Sequence, residues 1–88
     1  MVPYRDEAKE GFFIRQFNEK VEQDELVWHR DYNDRRIDIL EGIGWQFQFD
    51  NCLPFNIVPG DHLNIKANEY HRLIKGKTPL KLRITEKL

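Results

Sequence analysis

From Trp45 to Asp50 apolar and polar residues alternate without a break, Trp45, Phe47 and Phe49 against Gln46, Gln48 and Asp50. Side chains two apart on a strand share a face, so this stretch reads as a strand with one buried side. The same alternation returns at Leu80–Thr85, where Leu80, Leu82 and Ile84 interleave with Lys81, Arg83 and Thr85. Phe12–Phe17 and Arg36–Glu41 carry the aromatic and β-branched residues that favour strands. Leu26 to Asp31 reads as a further strand, with Leu26 and Trp28 on one side and Val27 and His29 on the other, so that His29 and Asp31 point the same way. Shorter strands are expected at Leu53–Val58, His62–Ile65 and Tyr70–Lys75. Between them lie turn signals at Gly42-Ile43-Gly44, Asp50-Asn51, Pro59-Gly60-Asp61, Lys66-Ala67-Asn68-Glu69 and Gly76-Lys77-Thr78-Pro79. Residues 1–10 form a polar arm or a single helical turn stopped by Gly11, and Asn18 to Glu25 is a charged connection.

Roughly seven or eight short strands at turn-punctuated spacing, with no helix long enough to cover a sheet, predict an all-β antiparallel barrel or sandwich. Its 88 residues make one domain. A chain so short buries a limited share of its surface, and two Trp, six Phe and three Tyr partly compensate. Pairing with a second copy would add buried area, so a homodimer is expected, through the Phe12–Phe17 strand or the face carrying Trp28.

A net charge of −1 supplies no pull toward nucleic acid or membrane, and neither partner is expected. The charge is uneven, however. Residues 1–61 hold thirteen acids against seven bases, and residues 62–88 hold two against seven. In a fold that interleaves its two ends, that asymmetry predicts cross-strand ion pairs. A lone cysteine, Cys52, excludes an intramolecular disulfide and fits a reducing cytoplasm. Nothing resembles a signal peptide or a membrane span.

The order of motifs resembles the small single-domain cupins, a double-stranded β-helix or jelly-roll family. Their first motif, Gly-x5-His-x-His-x3-4-Glu-x6-Gly, aligned on Gly42, puts His29 on the first histidine, Asp31 on the second and Arg35 on the glutamate. Their second, Gly-x5-Pro-x-Gly-x2-His-x3-Asn, puts Gly60 on its first glycine, Lys66 on the proline, Asn68 on the second glycine, His71 on the histidine and Lys75 on the asparagine. The resemblance covers Leu26 to Ile84. It implies a cupin-type β-barrel over residues 11–88 behind a short N-terminal arm, residues 1–10. Two of the family's four usual ligands remain, one is exchanged for Asp31, and the fourth is an arginine, which cannot bind a cation.

With Trp45, Phe47 and Phe49 facing inward, the alignment turns His29, Asp31, Arg35 and His71 inward too, beside Ile37, Ile39, Leu73, Leu80, Leu82 and Ile84. Three readings compete for this group. In the first, His29, Asp31 and His71 hold a divalent metal (Fe, Mn, Ni or Zn) with coordination positions left open, while Arg35 at the rim binds an anionic group of a small-molecule ligand. In the second there is no metal: Asp31 pairs with Arg35, Asp34 holds Arg30 or Arg36, and the pocket binds a small ligand directly. In the third the cluster is structural, and the protein is a dimeric scaffold using Trp28 and Tyr70 as outer contacts. His62 alternates against Leu63 and Ile65, so it should face solvent and take no part.

Overall fold

The computed structural model describes residues 2–87, so Met1 and Leu88, the outer bounds of the expected arm and domain, lie outside the description. The chain forms strands β1 (Tyr4–Ala8), β2 (Phe13–Phe17), β3 (Asp34–Glu41), β4 (Gln46–Phe49), β5 (Phe55–Asn56), β6 (His62–Ile65), β7 (His71–Ile74) and β8 (Leu80–Lys87), with a 3-10 turn at Gln23–Glu25. They make two antiparallel sheets, one in the order β1-β2-β8-β3-β6 and one in the order β5-β4-β7. The architecture is therefore a jelly roll of two facing sheets, and the sheets do not join into a continuous closed barrel.

The alternating stretches behave as their pattern requires. Trp45 is completely buried and Phe47 nearly so, and Phe49 packs half-buried beside them. Leu80, Leu82 and Ile84 enter the core from β8, meeting Ile37 and Ile39 of β3 across the sheet. The Trp45 indole N–H donates to the carbonyl of Thr78 at 2.7 Å, so the largest core side chain leaves no donor unpaired. Gly76 lies against the same ring. A Cβ there would come within 2.3 Å of Trp45 Cδ1, so no side chain fits.

Three expectations are corrected. Residues 4–8 of the arm are a strand, β1, in full register with β2 from Tyr4↔Phe17 to Ala8↔Phe13, and no helical turn forms there. β2 is consequently an inner strand, paired on both edges, and offers no edge to a second copy. The stretch Leu53–Val58 shrinks to two paired residues, because Pro54 has no N–H to give a ladder and Leu53 stands in solvent. The stretch Leu26–Asp31 is not a strand. It touches β7 through one isolated bridge, His29↔His71, and Leu26 is buried while Trp28 is 40% exposed, so the two do not share a side.

A side chain explains what keeps this stretch in place. The Gln23 carboxamide donates through Nε2 to the Leu73 carbonyl at 3.1 Å and accepts from the Lys75 N–H at 2.8 Å. It thereby occupies the edge of β7 as a neighbouring peptide group would. Among the described residues no helix is long and apolar enough to cross a membrane.

Candidate metal centre and its pocket

In the bridge, the N–H of His29 donates to the His71 carbonyl at 3.1 Å and that of His71 to the His29 carbonyl at 2.9 Å. Residues that exchange both hydrogen bonds stand directly opposite, with their side chains on one face. The two imidazoles accordingly meet edge to face, with centroids 4.3 Å apart. Two residues further on, Asp31 shares that face, and its carbonyl accepts from the Asn68 N–H at 2.7 Å. Asn68 has φ 66°, in the left-handed region, where asparagine is among the few non-glycine residues tolerated. It stands where the motif carries its second glycine, and the local backbone explains the exchange.

The imidazoles are oriented alike. Each ring's Nδ1 lies against a backbone carbonyl two residues back, His29 on Val27 at 3.1 Å and His71 on Glu69 at 2.8 Å. A carbonyl only accepts, so Nδ1 carries the proton in both rings and Nε2 is left with its lone pair. His71 Nε2 faces Asp31 Oδ2 at 3.4 Å, and that buried oxygen has no hydrogen-bond donor. With the His71 ring neutral, two acceptors turned toward each other with no proton between them form a site that a cation would satisfy. One donor atom from each of His29, Asp31 and His71 lies within 4.8 Å of the others. Two imidazoles and a carboxylate are a donor set suited to divalent first-row metals, so the residues fit such an ion.

Asp31's other oxygen is held separately. Oδ1 meets Arg35 Nη1 at 3.3 Å, and Arg35 Nη2 donates to Glu86 Oε1 at 2.7 Å. Arg35 and Glu86 are register partners on β3 and β8, while the cross-strand pair of the sense that the charge asymmetry predicts is Glu41 with Lys81, at 3.5 Å across the same two strands. Burial alone would raise the Asp31 carboxyl, but the hydrogen bond that the His71 ring donates when it is charged, and the Arg35 guanidinium, outweigh it and hold Asp31 below the usual carboxylate range. Burial lowers the His29 imidazole and favours its neutral form. The hydrogen bond from Arg35, helped by Asn33, lowers Glu86.

The structure thus brings all four expected residues, His29, Asp31, Arg35 and His71, into one cluster. The pairing expected of Asp34 is corrected. Asp34 Oδ1 accepts from the Ala67 N–H at 2.8 Å, and Arg36 pairs with Asp38 at 3.2 Å instead. His62 is exposed and stands apart.

Space around the cluster is divided. Behind it, the gap between the sheets is a cavity of about 40 Å³, lined by His29, Arg35, His71 and core side chains, with room for little more than a water molecule. In front lies an open pocket of about 320 Å³, where His29, Asp31 and Arg35 meet Arg15 and the segment Val2–Tyr4. That volume is at the small end of ligand sites.

Three residues of this arrangement escape the sequence pattern: Arg15, Glu86 and Gln23. Arg15 shares its strand face with Phe13 and Phe17, and that parity is the signal that could have placed it inside.

No family model matches the chain, and no curated protein matches it by sequence. Solved structures do match. A cupin-2 domain protein from Shewanella frigidimarina aligns with 96% of the chain and 79% of its own length, at 19% identity and a TM-score of 0.65. The chain has the cupin fold. The DMSP lyase DddQ from Ruegeria pomeroyi aligns with 88% of this cupin-fold chain at 16% identity and a TM-score of 0.75, and iron(II) HppE with 96% at 12% and 0.71. The chain spans only 37% of DddQ and 48% of HppE. At these identities the likeness is one of fold.

Proposed function

We propose that this small cupin-fold protein binds one divalent transition metal through Nε2 of His29, Nε2 of His71 and Oδ2 of Asp31, and uses it to hold a small molecule at the pocket mouth. The observation that carries the reading is the unpartnered, buried Asp31 Oδ2 facing an imidazole nitrogen whose proton sits on the far side of the ring. A network built only for stability would satisfy that oxygen. With three protein donors, the ion would offer open coordination positions as a Lewis acid or redox centre. Iron, manganese, nickel and zinc all suit the donor set, and one solved protein of this fold is described as an iron(II) form.

A second reading has an observation of its own. Arg35 already neutralises Asp31, as a metal-free ligand pocket would require. Titration decides between them. Protein purified without a histidine tag is expected to take up one equivalent of zinc or manganese. His71→Ala and Asp31→Asn should abolish uptake while the fold survives, and His62→Ala should leave it unchanged. If neither metal binds and chelators change nothing, the metal-free reading replaces this one.

A further inference from the structure

Arg15 sits on the inward face of β2 and lines both the inner cavity and the open pocket that holds His29, Asp31 and Arg35. Its guanidinium is fixed on several sides. Nε and Nη2 donate to the two oxygens of Asp6 at 2.8 and 3.0 Å, a bidentate fork between register partners on β1 and β2. Its Cζ lies 3.6 Å from the centroid of the Tyr4 ring and 5.3 Å from that of Phe13. The fork occupies the Nε–Nη2 edge and leaves the Nη1 end without a protein acceptor among the described residues. Arg35 differs. Both of its terminal nitrogens are engaged, by Asp31 and Glu86, and its Nε is buried. Of the two arginines on the pocket, Arg15 is the one with a terminal amino group to offer.

The charges on the pocket wall are Arg15 and Arg35 against Glu25 and Asp31, which cancel. Asp6 and Glu86, which pair with the two arginines, add two negative charges, so a divalent ion held by the triad would bring the site to neutrality and offer the pocket open coordination positions. The rest of the wall is largely apolar, including Val2, Pro3, Phe17, Leu26, Val27 and Leu73. Phosphates are strongly hydrated and would need more donors than this wall provides. A carboxylate on a short apolar body needs only one guanidinium end and one further cation.

We infer that the ligand of this pocket is a small carboxylate with a short apolar body, and that Arg15, held in place by Asp6 and Tyr4, is the residue that selects its charge. The inference rests on the metal reading above, and deepens it. Arg15 is a specificity residue here, whereas Arg35 orients Asp31.

The test uses the zinc-loaded protein, with butanoate as probe and butanamide as its uncharged counterpart. Zinc is titrated alone first, into wild type and Arg15→Gln, and equal affinity is expected because Arg15 is not a ligand. Calorimetry should then show butanoate binding wild type at least about tenfold tighter than butanamide, and Arg15→Gln losing about that factor for butanoate only. Side-chain NMR of wild type should show the Arg15 guanidinium resonances shifting with butanoate, a readout that stands even if the variant does not fold. Equal binding of the two probes, a folded Arg15→Gln that binds butanoate normally, or unmoved Arg15 resonances would each overturn the inference and leave the metal reading intact. Failure of the first zinc titration into wild type would remove the metal reading, and this inference with it.

Discussion

Asp31 has two oxygens with different partners, and its chemistry follows from that division. Arg35 holds Oδ1, and Oδ2 is left for an ion. An arginine at the motif's glutamate position therefore removes one ligand and fixes the orientation of another. His29 contributes to the pH response. Its pKa is lowered in the folded protein, so as pH falls through the unfolded value of about 6.5 the unfolded chain takes up the proton first. The metal-free protein is expected to lose stability as pH falls below about 6.5, the loss ending once pH is below the folded-state value. Asp31, also lowered, adds a second loss at more acid pH as it protonates. Urea midpoints across this range check both, and His29→Gln should remove the first step.

The element that shapes the site is the least regular one. The stretch Leu26–Asp31 is held at the β7 edge by the His29↔His71 bridge, the Asn68–Asp31 bond and the Gln23 carboxamide. Gln23→Ala removes two hydrogen bonds and is expected to cost about 1 kcal/mol. Its clearer effect should be faster hydrogen exchange at the His29 and His71 amides and weaker metal uptake. β4 and β8 were legible in the sequence because their alternation reflects burial directly. His29, Asp31 and His71 were legible because motif spacing, and the shared side of His29 and Asp31, survive even where the strand itself does not form. Gln23 was hidden within a charged connection, since its part depends on the edge of a strand fifty residues away. Arg15 and Glu86 were hidden because each looks like an ordinary strand charge until its register partner is known.

At the scale of the whole molecule, the radius of gyration of 12.1 Å is that of a filled globule of this length. Its core is one cluster shared by both sheets, and Phe47 sits where the small sheet meets the site, stacked on His71 with centroids 5.5 Å apart. Phe47→Ala should cost about 3–5 kcal/mol, a large part of what so small a domain has, and thermal melts would register it. The outer edges of the large sheet, β1 and β6, have no strand beside them among the described residues. With a core this small, a second copy is expected to cover one of them. Sedimentation at micromolar concentration should give a dimer, and a stable monomer would dismiss it.

The two tryptophans stand at opposite extremes. Trp45 is sealed in the core, and Trp28, 40% exposed beneath the Arg72 guanidinium, adjoins His29. Their emission should therefore separate by colour, Trp45 toward the blue and Trp28 toward the red. Acrylamide will quench Trp28 and spare Trp45. The chain carries one native optical reporter for its interior and another on the segment that bears His29 and Asp31, so movement of that segment and global unfolding can be followed as distinct signals in unlabelled protein.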